Sequence, residues 1–384
     1  MYKICLLLDS SNLSTFYVYT LMREYLKSKD IELDIFLNPH KTTLGISTRD
    51  LIDSEYHESI YSHVTVGVPC SKNYDTLFFS NLRNKKGSCI SPSLIESFTN
   101  KGKLAMSIKC SSCLSSTSWP AKIGTSAPII YGIPFQNLGF TISVDELERT
   151  VDRDRMFHMN NLEIYKHEKP FFLSREEFYN KYKLKDNLEI LSFFPSGMHG
   201  HPGLETEHKL HQKLEEINIL AEELGYQIVF KPHFNEFFGH KSHFYDGQRS
   251  ADYYFKKIPA IAAEDAYELI KYSSFSLTST TSMIFEHYLY NLPTINIGLD
   301  DHSWFADCLR SDFRKFIFGD LYESESFFLD PKNHFNLSFS KTHNINSFEF
   351  KDDHAVFGGA YNETIESACD NLLTIITDNK TREL

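Results

Sequence analysis

The sequence has no long apolar run, although 41% of its 384 residues are hydrophobic. A helix that spans a membrane needs at least about 18 consecutive apolar residues, and no segment approaches that length. The first apolar stretch, within residues 1–12, is short and ends at Asp9. It therefore predicts a first β-strand rather than a signal peptide.

Basic residues are also few. The chain carries 39 lysines and arginines against 51 aspartates and glutamates, which gives a formal net charge of −12. A protein that binds nucleic acid needs a basic surface, so we expect no nucleic-acid partner. An anionic ligand is still compatible with this charge if its site supplies local hydrogen-bond donors.

Cysteine is too sparse and too scattered for a disulfide framework. The count of seven is odd, and the natural compartment for such a chain is the reducing cytoplasm. Cys110 and Cys113 form a lone CxxC motif, whereas a structural zinc site needs a second pair of ligands. We interpret these two residues as ordinary thiols.

The signatures of several large enzyme classes are missing. The sequence contains no G-x-S-x-G elbow, P-loop, G-x-G-x-x-G or HExxH motif, which disfavours hydrolases, kinases and dehydrogenases. His199 and His201 form an HxH pair that could chelate a metal, yet no aspartate follows at short spacing. We expect neither a metal nor another cofactor.

Short apolar runs alternate with amphipathic segments through most of the chain. The alternation predicts α/β architecture with mainly parallel sheets, and the length indicates two domains. Residues 141–185 are charged, and we predict a helical connector without strands there. Predicted strands are 3–10, 31–38, 76–80, 103–109, 127–135, 188–197, 226–233, 275–279 and 293–298, and the main predicted helices are 14–30, 206–225, 265–273, 282–291 and 363–378.

A run of small hydroxyl residues follows the predicted strand 275–279. A helix is predicted to begin near Thr281 and Ser282. Ligands of open α/β sheets bind beyond the carboxyl ends of strands, where helix N-termini present free N–H groups. The run therefore predicts a phosphate-binding turn. The alternative is that one hydroxyl caps the helix, which explains one residue of the run but not the others.

Glu286 lies one turn into the same predicted helix. A capping-box glutamate stands three residues after the cap, and neither Thr281 nor Ser282 has that spacing to Glu286. The carboxylate is instead placed to accept hydrogen bonds from ribose hydroxyls. The alternative is a solvated acid in the first turn, favoured by the helix dipole.

The segment LTSTTSMIFEHYLYNLPTINIG, residues 277–298, resembles the nucleotide-binding signature of GT-B-type enzymes. It is most similar to the CDP-glycerol glycerophosphotransferase and UDP-N-acetylglucosamine 2-epimerase families. Thr281 and Ser282 match their paired hydroxyl positions, Glu286 the acidic position and Pro293 the proline.

Two further segments carry the same resemblance. In FKPHF, Lys231 and His233 match a strand-end Lys-x-His-Pro element, while Phe234 replaces its proline. Residues 262–278 resemble the helix that precedes the signature, and residues 357–372 resemble the Gly-rich turn and last helix of such chains. The resemblance covers residues 186–378.

The resemblance implies a GT-B-like α/β fold in which two Rossmann-like domains face a cleft. It divides the chain into an acceptor-side domain (1–150), a helical connector (151–185), a donor-binding domain (186–355) and a helix that returns to the first domain (356–384). The expected donor-binding residues are Ser196, Gly197, Lys231, His233, Ser279, Thr280, Thr281, Ser282 and Glu286.

Two loops are candidates for acid–base chemistry. PSGMHGHPG, residues 195–203, follows a strand, and His199 or His201 could take a proton from an acceptor hydroxyl because imidazole titrates near neutral pH. Asp9 follows the first strand and is the next candidate base. The alternatives are a mobile surface loop for the histidines and a turn with a helix cap for Asp9.

The resemblance implies a cytoplasmic transferase that builds bacterial surface polysaccharide, such as capsule or lipopolysaccharide. Its expected partners are a nucleotide-activated sugar or polyol-phosphate donor and a glycan or glycolipid acceptor, through which it would associate peripherally with the inner membrane. Two alternatives stay open at this point. One is a nucleotide-sugar 2-epimerase, and the other is a non-catalytic protein that binds sugar nucleotides.

Overall fold

The computed structural model describes residues 1–8, 16–38, 48–55, 58–79, 91–108, 130–134, 156–159, 172–194, 218–231, 258–278, 283, 287, 290, 292, 294–296 and 364–382. The chain divides into two compact units. The first unit consists of Met1–Lys41, Gly45–Lys169 and Lys351–Leu384, and the second of Thr42–Leu44 and Pro170–Phe350. The domain boundaries drawn from the sequence stay predictions.

The first unit contains a seven-stranded sheet in the order β3-β2-β1-β4-β5-β6-β7. Every neighbouring pair is parallel. The chain builds outwards from β1 in one direction and then from β4 in the other, which is the doubly wound arrangement. The strands are Tyr2–Leu8, Ile31–Leu37, Val64–Val66, Thr76–Phe79, Leu104–Ile108, Ile130–Pro134 and Met156–Met159.

Strand β1 is an interior strand of this sheet, between β2 and β4, and its side chains are buried. Residues 4–8 are at most 1% exposed, so the strand has a continuous apolar sequence rather than an alternating one. The predicted first strand is confirmed. Helices of this unit are α1 (Phe16–Ser28), α2 (Thr48–Glu55), α3 (Glu58–Tyr61), α4 (Pro92–Thr99) and α7 (Ile365–Arg382).

Helix α7 packs against α1 and β7 in the first unit. The Tyr25 hydroxyl of α1 donates to Asp370 Oδ2 over 2.8 Å, and Lys29 Nζ lies 3.6 Å from Asp370 Oδ1. The apolar positions predicted for α7 are all buried, which confirms the apolar face of this helix. They are Ile365, Ala368, Leu372, Ile375 and Ile376.

The second unit contains a four-stranded sheet in the order β11-β10-β8-β9, and all of its pairs are parallel. Its strands are Glu189–Phe194 (β8), Tyr226–Phe230 (β9), Ser273–Thr278 (β10) and Thr294–Asn296 (β11). Helix α5 (Arg175–Tyr182) begins with a capping box between Ser174 and Glu177, and α6 (Ala266–Tyr272) leads into β10. The α/β class with parallel sheets is thus confirmed.

Side chains cover both faces of this second sheet. One core cluster joins Leu191, Phe193, Phe230 and Leu277 to Ala221 of the helical segment 218–223. The opposite cluster joins Ile190 and Phe194 to residues of α5 and α6. Gly225 has a positive φ of 89° and follows the helical segment, as the sequence predicts for a helix terminator.

One prediction about the connector is wrong. Residues 141–185 were expected to lack strands, yet Met156–Met159 form β7 and pair in parallel with β6. The strand is short and its neighbours in sequence are charged, so its stability comes from pairing with β6 rather than from a local pattern. Among the described residues, no helix is both long and apolar enough to cross a bilayer.

Candidate functional site

The carboxyl ends of three neighbouring strands lie level at one edge of the second sheet. Thr278 of β10 pairs with Phe194 of β8, and Phe193 of β8 pairs with Phe230 of β9. Adjacent strands are about 4.8 Å apart, so these three ends span about 10 Å. Such an edge is where open α/β sheets bind ligands.

Each of these strand ends leads directly into a predicted donor-binding segment. Ser196 stands two positions after the last residue of β8, Lys231 directly follows β9, and Ser279 directly follows β10. The three predicted segments are distant in sequence, and each of them follows one of these neighbouring strand ends.

Among the predicted donor-binding residues, Lys231 is the one that lies in the described part of the chain. It is 7% exposed, and its backbone N–H donates to the Phe193 carbonyl over 3.1 Å, which extends the β8–β9 ladder by one residue. On the other side of β9, the Phe230 N–H donates to Pro259 and its carbonyl accepts from Ile261. The backbone that carries Lys231 is therefore fixed from both sides.

Three described residues of the segment after β10 are buried or partly buried. Met283, His287 and Tyr290 stand at the i, i+4 and i+7 spacing of one helix face. Met283 and Tyr290 pack against the core cluster that contains Phe194. His287 is fully buried, and its ring centroid lies 4.8 Å from that of Phe194 in an edge-to-face arrangement.

The environment of His287 keeps its imidazole neutral. Burial lowers its pKa to about 3, since water no longer solvates the charged form. An imidazole with such a pKa does not exchange protons with a substrate near neutral pH. His287 is not among the site residues predicted from the sequence, although its spacing from Met283 and Tyr290 indicates a position that faces the core.

Two buried acids join α6 to the segment that contains α5. Glu268 Oε1 accepts from the Leu173 N–H over 3.0 Å, and the Tyr272 hydroxyl donates to the Leu173 carbonyl over 2.5 Å. Asp265 Oδ2 accepts from Lys181 Nζ over 2.5 Å and from the Tyr182 hydroxyl. Tyr272 directly precedes β10, so its contact lies at the amino edge of the sheet, whereas Asp265 stands at the other end of α6. Both sets of contacts support the fold.

The charges of these acids affect their neighbours. Burial alone would lower the pKa of Lys181, but the hydrogen bond and charge of Asp265, together with Glu264, raise it above the ordinary lysine value. Burial, assisted by the charge of Glu268, raises the pKa of Tyr290 to about 12. Both groups therefore keep their protons at neutral pH.

The other predicted site residues lie outside the described part of the chain, and their roles stay predictions. They are Asp9, Ser196, Gly197, His199, His201, His233, Ser279, Thr280, Thr281, Ser282 and Glu286. The CxxC pair also lies outside it. Within the residues that are described, no group of three or more His, Cys, Asp or Glu could hold a metal ion.

Solved structures with the same fold are known. The chain is similar to a protein from Listeria monocytogenes assigned as a UDP-N-acetylglucosamine 2-epimerase, with a TM-score of 0.57 and 9% identity over 99% of this chain and 97% of that one. It is also similar to UDP-GlcNAc 2-epimerase from Neisseria meningitidis bound to UDP-GlcNAc, with a TM-score of 0.55 and 9% identity over 98% of this chain and 100% of that one.

These similarities establish the fold. The expected GT-B-like α/β class is confirmed, because the similarity to 2-epimerase structures extends over nearly the whole length of both chains. No protein-family model matches the sequence, and no curated protein sequence matches it. At 9% identity the resemblance does not extend to the activity.

Proposed function

We propose that the chain is an enzyme that transfers a sugar or polyol phosphate from a nucleotide-activated donor. The donor binds at the carboxyl edge of the second sheet. The observation that carries this proposal is the level alignment of β9, β8 and β10, each of which leads directly into a donor-binding segment predicted from the sequence. A span of about 10 Å suits a nucleoside diphosphate better than a single small anion.

In this proposal, the donor phosphates bind to Lys231 and to the hydroxyls of Thr281 and Ser282. Helix N-terminal N–H groups supply further donors, so no metal is needed to neutralise the phosphates. Helical spacing predicts that Ser282 and Glu286 share one face, next to the face that holds Met283, His287 and Tyr290. Glu286 can then hold the ribose while Ser282 contacts the phosphates.

The transfer step needs a base for the acceptor hydroxyl. His199 or His201 removes this proton as the hydroxyl oxygen attacks the activated carbon or phosphorus, and the nucleotide leaves with the bonding electron pair. Asp9 is the next candidate for this role. The acceptor is a glycan or glycolipid of a bacterial surface polysaccharide, and the enzyme works at the cytoplasmic side of the inner membrane.

A 2-epimerase is the second candidate function. It is favoured by the structural similarity to UDP-N-acetylglucosamine 2-epimerases over nearly the full length of the chain. The two candidates share the donor site and differ in their need for an acceptor. Incubation with UDP-GlcNAc alone, followed by chromatography of the sugar nucleotides, separates them, because only the epimerase yields a stereoisomer without an acceptor.

Binding is tested first with a thermal-shift panel of CMP, CDP, UDP and GDP. A ligand that binds only the folded state stabilises it by RT ln(1 + [L]/Kd), so the preferred base gives the largest shift in Tm. The variant Thr281→Ala/Ser282→Ala should weaken the preferred nucleotide about ten- to a hundredfold in calorimetric titration. Ser274→Ala is the matched control, since this exposed hydroxyl lies near the start of β10.

The roles of the ribose ligand and the base are separated by comparing kcat with donor Kd. Glu286→Gln should raise Kd with little change in kcat, because it removes a binding interaction. His199→Asn or His201→Asn should instead lower kcat by about 10²–10⁴-fold while Kd stays constant. If no nucleotide of the panel binds the wild-type protein, the proposed function is wrong.

A further inference from the structure

We draw no further inference here: the strongest candidate, the Tyr19 side chain in the first turn of helix α1, carries nothing, because it is fully enclosed by the protein and nothing in the described part of the chain shows what its hydroxyl would bind.

Discussion

Removal of Lys181 from its ion pair with Asp265 should destabilise the protein more than removal of the Asp265 charge. Their side chains differ in exposure, at 40% for Lys181 and 2% for Asp265, and the two charged atoms are 2.5 Å apart. Lys181→Met leaves the buried carboxylate without its cation. Asp265→Asn leaves a lysine that water can still reach, and the amide oxygen can still accept from the Tyr182 hydroxyl.

The magnitude follows from this difference in exposure. Removal of one partner from a fully buried ion pair costs about 3–5 kcal/mol, and the partial exposure of Lys181 reduces the cost of Lys181→Met to about 2–3 kcal/mol. Asp265→Asn should cost about 1 kcal/mol, the value of one hydrogen bond. In a unit of this size, each kcal/mol shifts Tm by about 2–4 °C, so Lys181→Met should lower Tm by about 4–12 °C.

Calorimetry of the unfolding transition is the assay, and Lys185→Met is its control. Lys185 Nζ pairs with Glu222 over 2.8 Å, but both side chains are more than a third exposed, at 55% and 39%. The same chemical change there should cost less than about 1 kcal/mol. If Asp265→Asn lowers the free energy of unfolding as much as Lys181→Met does, the reasoning is wrong, because the loss would then not come from a buried carboxylate without its cation.

The pair also predicts a pH dependence. The pKa of Lys181 is raised in the folded protein, so its stabilisation is fully present below the unfolded lysine value of about 10.4. The stabilisation is lost as pH rises through the higher folded value. The difference in Tm between the wild type and Lys181→Met should therefore stay constant from about pH 7 to 9 and shrink above about pH 10.4.

Two further results are expected. Phe193→Ala should destabilise the second unit by about 3–5 kcal/mol, because Phe193 is fully buried and stacks on Phe230. Urea unfolding measures this loss, and a value below about 1 kcal/mol would contradict the packing. Iodoacetamide should label Cys70 in the native protein far faster than Cys5, since Cys70 is exposed while burial raises the pKa of the Cys5 thiol; equal rates in peptide mapping would contradict this assignment.

Strands with long apolar runs were predictable from the sequence because their pattern is local. The predicted strand 3–10 corresponds to Tyr2–Leu8, and 31–38 corresponds to Ile31–Leu37. Strands β3 and β7 were not predicted, since neither has a long apolar run: β3 has the sequence VTV with two exposed residues, and β7 has the sequence MFHM beside charged residues. Each depends on pairing with a neighbour that is distant in sequence. Such pairing leaves no periodic signal in the strand itself.

The candidate site was predictable in outline but not in detail. Lys231 was predicted from the resemblance of FKPHF to a strand-end Lys-x-His-Pro element, and in the structure it directly follows β9; its role in donor binding stays a prediction. Its burial could not be foreseen from the local sequence, and neither could the pairing of residues 259–261 with the end of β9. His287 was missed because the neighbouring Glu286 drew the interpretation towards ligand binding, whereas the residue itself faces the core.

The discontinuous path of the first unit has a consequence for biosynthesis. Tyr25 of α1 and its partner Asp370 of α7 are 345 positions apart, and the whole second unit is encoded between them. Translation adds about 5–20 residues per second, so roughly 20–70 s pass between the synthesis of α1 and the synthesis of α7. The second unit is fully translated within that interval and can fold first, while the surface of α1 that later receives α7 stays uncovered.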